Sequence, residues 1–158
     1  MISRLPGKNC ALLLCLCLLL CGCQGSPRQV SGEAPLIALD TIELQESFAT
    51  LHISVRNLND RRFEMEEIRL SLQLDQQQAA SLDPAPVFLS VPARGREVIM
   101  LETELEPGSR QLLEALTHRQ RPNLAWQLEL VFDPPRGRLR AEANGFLHPV
   151  PGQPDRFR

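Results

Sequence analysis

Past residue 23 the sequence contains no cysteine, so no disulfide, thiolate metal site or nucleophilic thiol can be built beyond that point. Aromatic residues make up only 4% of the chain, and lysine occurs once, as Lys8. With so few stacking rings and no basic stripe, nucleic-acid binding has no basis. The three histidines, His52, His118 and His148, stand apart, with neither a carboxylate nor a second histidine at ligand spacing. Neither a metal, a cofactor nor histidine catalysis is therefore expected. A Gly-x-Ser-x-Gly elbow, a glycine-rich phosphate loop and a His-Glu-x-x-His run are equally missing. So is a membrane-spanning run: Cys10 to Cys21 is apolar for about 12 residues, where a bilayer core needs roughly 20.

What that short run does resemble is the core of an export signal. Arg4 and Lys8 precede it and small residues follow it, the order of charged, apolar and processing regions. Within it, Leu20-Cys21-Gly22-Cys23 resembles the bacterial lipobox, with Leu at −3, a small residue at −1 and cysteine first in the mature chain. Residues 1–22 are thus expected to be a lipoprotein signal peptide, and Cys23 the lipidation site, carrying diacylglyceryl and an amide-linked acyl chain such as palmitate. Cys10, Cys15, Cys17 and Cys21 would leave with the signal. Gln24 rather than Asp after the lipidated residue points to the outer membrane, facing the periplasm.

Without Arg4 and Lys8, the 17 basic residues fall to 15, all arginine, against 19 acidic ones, a side-chain charge of −4. Membrane attachment then rests on lipid, and two or three acyl chains hold where one alone is marginal. Residues 23–35 continue from the lipid as "CQGSPRQVSGEAP", a stretch rich in Gly, Ser, Pro and Gln that reads as a flexible tether.

From Leu36 the apolar period is two. Ala49, Leu51, Ile53 and Val55 alternate with polar residues, as do Ile68, Leu70, Leu72 and Leu74. Ile99, Leu101, Thr103 and Leu105 form a third such row, and Leu124, Trp126, Leu128, Leu130 and Phe132 a fourth. Each is a half-buried strand. Weaker strands are read in "LIALDTIEL", in "PVFLSVP" around Phe88 and in "RLRAEANGFL". The fold class is all-β, an immunoglobulin/fibronectin-III-like antiparallel β-sandwich of about seven strands over residues 36–150. One short helix interrupts it at Ser109–His118, with Ser109 as N-cap, Leu112, Leu113 and Leu116 on one face, and Pro122 barring extension. Residues 151–158 read as a disordered C-terminal tail.

Against this order of elements, "LHISVRNLNDRRFEMEEIRLSLQLDQQQAASL" and "VPARGREVIMLETEL" resemble the late embryogenesis abundant type 2 family, also called the water stress and hypersensitive response (WHy) domain. Leu58 stands where the family has proline, and Gln76-Gln77-Gln78 where it has Asn-Gly. The lone helix and the closing Gly145-Phe146 also fit. The resemblance implies a non-enzymatic protein of desiccation or envelope stress protection, with weak protein or lipid partners. The other readings are a periplasmic module holding a lipid or other apolar ligand, marked by an apolar cavity near the helix, or an accessory subunit of an envelope complex.

Three groups of side chains call for weighing. Glu102, Glu104 and Glu106 line a strand face at about 7 Å intervals, a solvated edge rather than an acid–base pair. Arg136, Arg138 and Arg140, with Arg94 and Arg96 in another turn, suit either lipid headgroups or an ordinary charged surface, the second being preferred in an acidic domain. Asn57-Leu58-Asn59-Asp60 is expected to be a tight structural turn that sets strand register.

Overall fold

A computed structural model describes residues 32–133 and 138–158; Cys23, the lipobox, most of the tether and Arg136 lie outside the described residues. The elements run β1 (Leu36–Leu44), β2 (Ala49–Arg56), β3 (Phe63–Leu74), β4 (Gln77–Val91), β5 (Arg96–Thr103), α1 (Pro107–Thr117), β6 (Leu124–Phe132), β7 (Leu139–Leu147), β8 (Pro149–Val150) and β9 (Gln153–Phe157). They form two antiparallel sheets, one ordered β5-β2-β1-β9-β8 and the other β4-β3-β6-β7. The architecture is a β-sandwich with one short helix, as the alternation requires when two sheets each offer one apolar face.

The core is the sum of the alternating rows. Leu51, Ile53, Val55, Leu72, Leu74, Leu124, Leu130 and Phe132 have no exposed surface. Phe132 meets Phe63 edge to face at 5.5 Å, a favoured aromatic geometry. In β1 the alternation breaks because a bulge between Leu39 and Thr41 lets both Thr41 and Ile42 turn inward. That irregularity is why β1 is faint as a pattern in the sequence.

Several expectations are corrected. Residues 151–158 are not a disordered tail: β8 and β9 make a hairpin around Gly152, at φ +78°, and β9 pairs with β1 through Ile42–Phe157 and Glu43–Arg156. Phe157 is fully buried, and its burial supplies the driving force that the polar, proline-rich "PGQPDRFR" conceals. The sandwich therefore has nine strands rather than about seven among the described residues. The domain also begins before Leu36, since the Glu33 backbone is bonded in both directions to the Asn59 side chain and Pro35 is buried.

β4 starts at Gln77, well before the expected strand around Phe88. Its register against β3 shifts three times, and Pro84 and Pro86 are tolerated because β4 lies at the edge of its sheet. The β3–β4 turn places Asp75 at φ 48° and Gln76 at φ 65°, the two left-handed residues of a type I′ hairpin, without the usual glycine. The helix begins at Pro107 with Glu106 as the cap residue, so Ser109 is not the N-cap; it is buried inside the first turn and its hydroxyl faces the Gln78 carbonyl at 3.5 Å. Pro107 suits that first position because a helix leaves its initial N–H groups unbonded anyway. Leu113 and Leu116 are fully buried, which ties the helix to the sandwich.

Candidate functional site

The segment after β2 carries more polar organisation than any other buried part of the fold. β2 and β3 belong to different sheets, so residues 57–62 cross between layers; they do not set the register of a hairpin, as the turn reading had it. Asn57, 1% exposed, organises the crossing. Its Nδ2 donates toward the carbonyls of Arg61 at 2.7 Å, Pro92 at 3.0 Å and Val91 at 3.3 Å. Its Oδ1 accepts from the Asn59 N–H at 2.9 Å and from Asn59 Nδ2 at 3.1 Å. Asn59 then reaches Glu33, accepting from its N–H at 3.0 Å and donating to its carbonyl at 2.9 Å. The arrangement satisfies backbone groups at a strand end and in the segments between strands, which is a structural task.

Around this node five arginines are gathered. Arg56 and Arg96 are cross-strand partners at the ends of β2 and β5, and Leu36, 55% exposed, opposes Arg56 on β1. Arg94, at φ 57°, donates its backbone N–H to Asn59 at 3.1 Å and its Nε to Asp60 at 2.7 Å. The hydrogen bond that Arg94 donates to Asp60 holds its guanidinium above its ordinary pKa. Arg96 pairs with Asp40 at 2.7 Å, and Arg62 donates to the Ser90 hydroxyl at 2.9 Å. Arg56 and Arg61 make no ion pair with a described residue and are exposed.

The other weighed residues are dispersed. Arg138 pairs with Asp133 at 2.9 Å, and Asp133 also receives Arg69. Hydrogen bonds from Arg138 and then Arg69 hold the Asp133 carboxyl below its usual range, and the bond with Asp133 raises Arg69. Arg140 is held between Glu129 at 2.6 Å and Glu142 at 2.8 Å on the outer face of the four-stranded sheet. There a shallow depression of about 270 Å³ is walled by Ser71, Gln73, Gln127, Glu129, Arg140 and Asn144. Thus Arg138 and Arg140 do not join Arg94 and Arg96 in one row. Glu102 lies on the edge strand β5, but that strand ends at Thr103, so Glu104 and Glu106 do not continue its face.

His118 caps the helix end through its backbone N–H, bonded to the Glu114 carbonyl at 2.9 Å, and His148 Nδ1 lies 3.2 Å from the Pro122 carbonyl. His52 Nε2 comes within 3.4 Å of Glu43 Oε1 without hydrogen-bond geometry, and Glu43 also meets Arg156 at 3.2 Å. Sequence spacing missed this contact because it depends on the β1–β2 register, which places Glu43 diagonally across from His52. Trp126 is a core residue, 7% exposed. Beside the helix end, Thr117, Arg119, Pro149, Val150 and Pro154 border a depression of about 340 Å³ that opens to the surface. Among the described residues, no group of three or more His, Cys, Asp and Glu side chains is placed to hold a metal ion, and no helix is long and apolar enough to cross a membrane.

No family model matches the chain, and no curated protein does. Solved structures do. An Archaeoglobus fulgidus protein shares 7% identity over 73% of this chain and 94% of its own, with a TM-score of 0.43. An Arabidopsis thaliana protein solved in solution shares 13% over 75% of this chain and 87% of its own, at 0.45. A protein assigned to the late embryogenesis abundant (LEA) class shares 13% over 94% of this chain and 88% of its own, at 0.46.

Proposed function

We propose that the chain is a non-enzymatic, lipid-anchored envelope lipoprotein of the outer membrane, whose LEA type 2-like sandwich faces the periplasm and protects proteins or membranes under drying or envelope stress through weak contacts. The observation that carries the reading is the sequence Leu20-Cys21-Gly22-Cys23, set nine residues before the first described residue, Gly32. A chain attached at Cys23 holds the sandwich close to its bilayer, where it meets membrane surface and neighbouring proteins. The polar chemistry of the described residues supports a non-catalytic role. Arg69, Arg94 and Asp133 owe their shifted pKa values to ion pairs rather than to a site open to substrate.

Metabolic labelling tests the anchor. Labelled palmitate is expected to enter the wild-type chain and not Cys23→Ala, and the mature protein is expected in outer-membrane fractions; equal labelling of Cys23→Ala overturns the reading. Protection is tested by drying and rehydrating a labile reporter enzyme with the acylated protein in vesicles. Activity recovered no better than with empty vesicles would remove the protective half of the proposal.

A further inference from the structure

The arginines around Asn57 and Asn59 sit where the chain comes in from its N-terminal side. Residues 32–36, 56–62 and 92–96 together carry Arg56, Arg61, Arg62, Arg94 and Arg96 against only Glu33 and Asp60, in a mature chain whose side chains sum to an acidic charge. Asp40 supplies a third carboxylate from β1, bound to Arg96. The three segments are joined by the Asn59–Glu33 bonds, the Asn57 N–H to Gly95 carbonyl bond at 2.9 Å and the Arg94–Asn59 bond, so they form one end of the sandwich. The helix lies at the other end, since Glu106 bonds to Ala79 near the start of β4, whereas Val91 at its far terminus lies against Asn57.

We infer that this arginine-bearing end is the membrane-facing end of the domain and that it contacts the phosphates of anionic phospholipid headgroups. The inference rests on the proposed lipidation of Cys23. Ten residues of chain link Cys23 to Glu33, and even fully extended they span at most about 36 Å. A strand the length of β1 or β6, nine residues each, covers roughly 30 Å. Attachment at Glu33 thus brings the arginine end nearest the bilayer and leaves the helix end farthest away. Within about 8–10 Å of the headgroups, arginines feel the negative surface potential through the salt of the medium. Arginine matches phosphate through paired N–H donors, and Arg56 and Arg61 have no carboxylate to leave among the described residues. Leu36, exposed beside Arg56, adds an apolar side chain at the same end.

The test uses the mature acylated protein reconstituted into vesicles of phosphatidylcholine alone or with a third of phosphatidylglycerol. Since Cys23 would be blocked by its lipid, Ala93→Cys in the β4–β5 turn and Gln111→Cys on α1 each offer a single site for a spin label. Collision with a nickel chelate held at the headgroups is expected to be strong at residue 93 and weak at residue 111, and stronger at 93 with phosphatidylglycerol. About 1 M salt, with a Debye length near 3 Å, is expected to remove the phosphatidylglycerol increment. Arg56→Gln combined with Arg61→Gln should lower the contacting population by roughly 25-fold, since each basic residue near an anionic surface changes binding roughly fivefold. Arg110→Gln, at the helix end, should leave it unchanged. Equal collision at 93 and 111, or contact at 93 indifferent to phosphatidylglycerol and to both arginines, overturns the inference while the anchor stands. Failure of the protein to float with phosphatidylcholine vesicles instead overturns the lipidation reading, and the inference with it.

Discussion

Gly145 lies directly opposite Trp126 in the β6–β7 ladder, and the indole covers it so closely that a Cβ at 145 would stand 2.9 Å from Trp Cζ2, 3.0 Å from Cε2 and 3.1 Å from Nε1. The absence of a side chain at 145 is what lets Trp126 fold over β7 and close that part of the core. The neighbouring inward positions of β7, Ala141 and Ala143, are small as well.

Gly145→Ala is accordingly expected to destabilise by about 1–3 kcal/mol, the usual range for overpacking a well-filled interior. A denaturant titration reads it directly, and an unchanged midpoint would mean that the indole yields without loss. Phe146, the next residue, is 60% exposed on the opposite face. Its replacement by Ser should shift stability by no more than about 0.5 kcal/mol.

Asn57→Ala removes both halves of a buried carboxamide and leaves the carbonyls of Arg61, Val91 and Pro92 and the N–H of Asn59 without that partner. Each unsatisfied buried group costs about 1–3 kcal/mol, partly recovered by water or relaxation, so a loss of about 2–4 kcal/mol is expected. Asn57→Asp keeps the acceptor and loses the donors, and should also destabilise. Hydrogen exchange offers a second measurement: the Glu33 amide, held by Asn59, should lose protection in Asn57→Ala. Unaltered protection would show that Asn59 holds its place unaided.

Phe157→Ala tests the terminal hairpin. A fully buried phenylalanine replaced by alanine typically costs about 3–5 kcal/mol. A dispensable tail would lose nothing. Since Phe157 pairs with Ile42 on β1, the damage should spread to amide exchange in β1. Thermal or denaturant unfolding indistinguishable from wild type would restore the reading of 151–158 as a tail.

How far the sequence speaks depends on whether a strand keeps one parity throughout. β2, β5 and β6 do, and so does β3 from Ile68 onward, and their inward residues were legible by counting every second position; before Ile68 a shift at Glu66-Glu67 puts Phe63 and Met65 on the other parity. β1 hides behind the bulge at Asp40, and β4 behind two prolines and three register shifts. β9 is short and polar, and only Phe157 marks it, a single residue with no period to support it. At the candidate site the chemistry of Asn57 and Asn59 was readable as backbone capping. That it bridges two sheets and pins Glu33 was not, because those contacts link residues 26 to 35 positions apart. The arginine cluster is scattered for the same reason: Arg56 and Arg96 become neighbours only once β2 pairs with β5.

The ion pairs of Asp133 lead to a dependence on pH. Its carboxyl is held below the usual carboxylate range by hydrogen bonds from Arg138 and then Arg69. A folded-state pKa below the unfolded one means that the unfolded chain takes up the proton first as acidity rises. The stabilisation is therefore fully present above the unfolded pKa, declines as pH falls below it, and is gone once pH has passed the folded pKa. Asp133→Asn lacks the titrating group, so the difference in stability between wild type and variant should be constant from neutrality down to about pH 5 and should shrink below the unfolded value near 3.9. Because the carboxyl is only half-buried and meets solvent, the difference is expected to be small and to fall further in high salt. Paired thermal melts across that range check it: a gap that persists unchanged at the acid end would show that Asp133 contributes through shape rather than through charge.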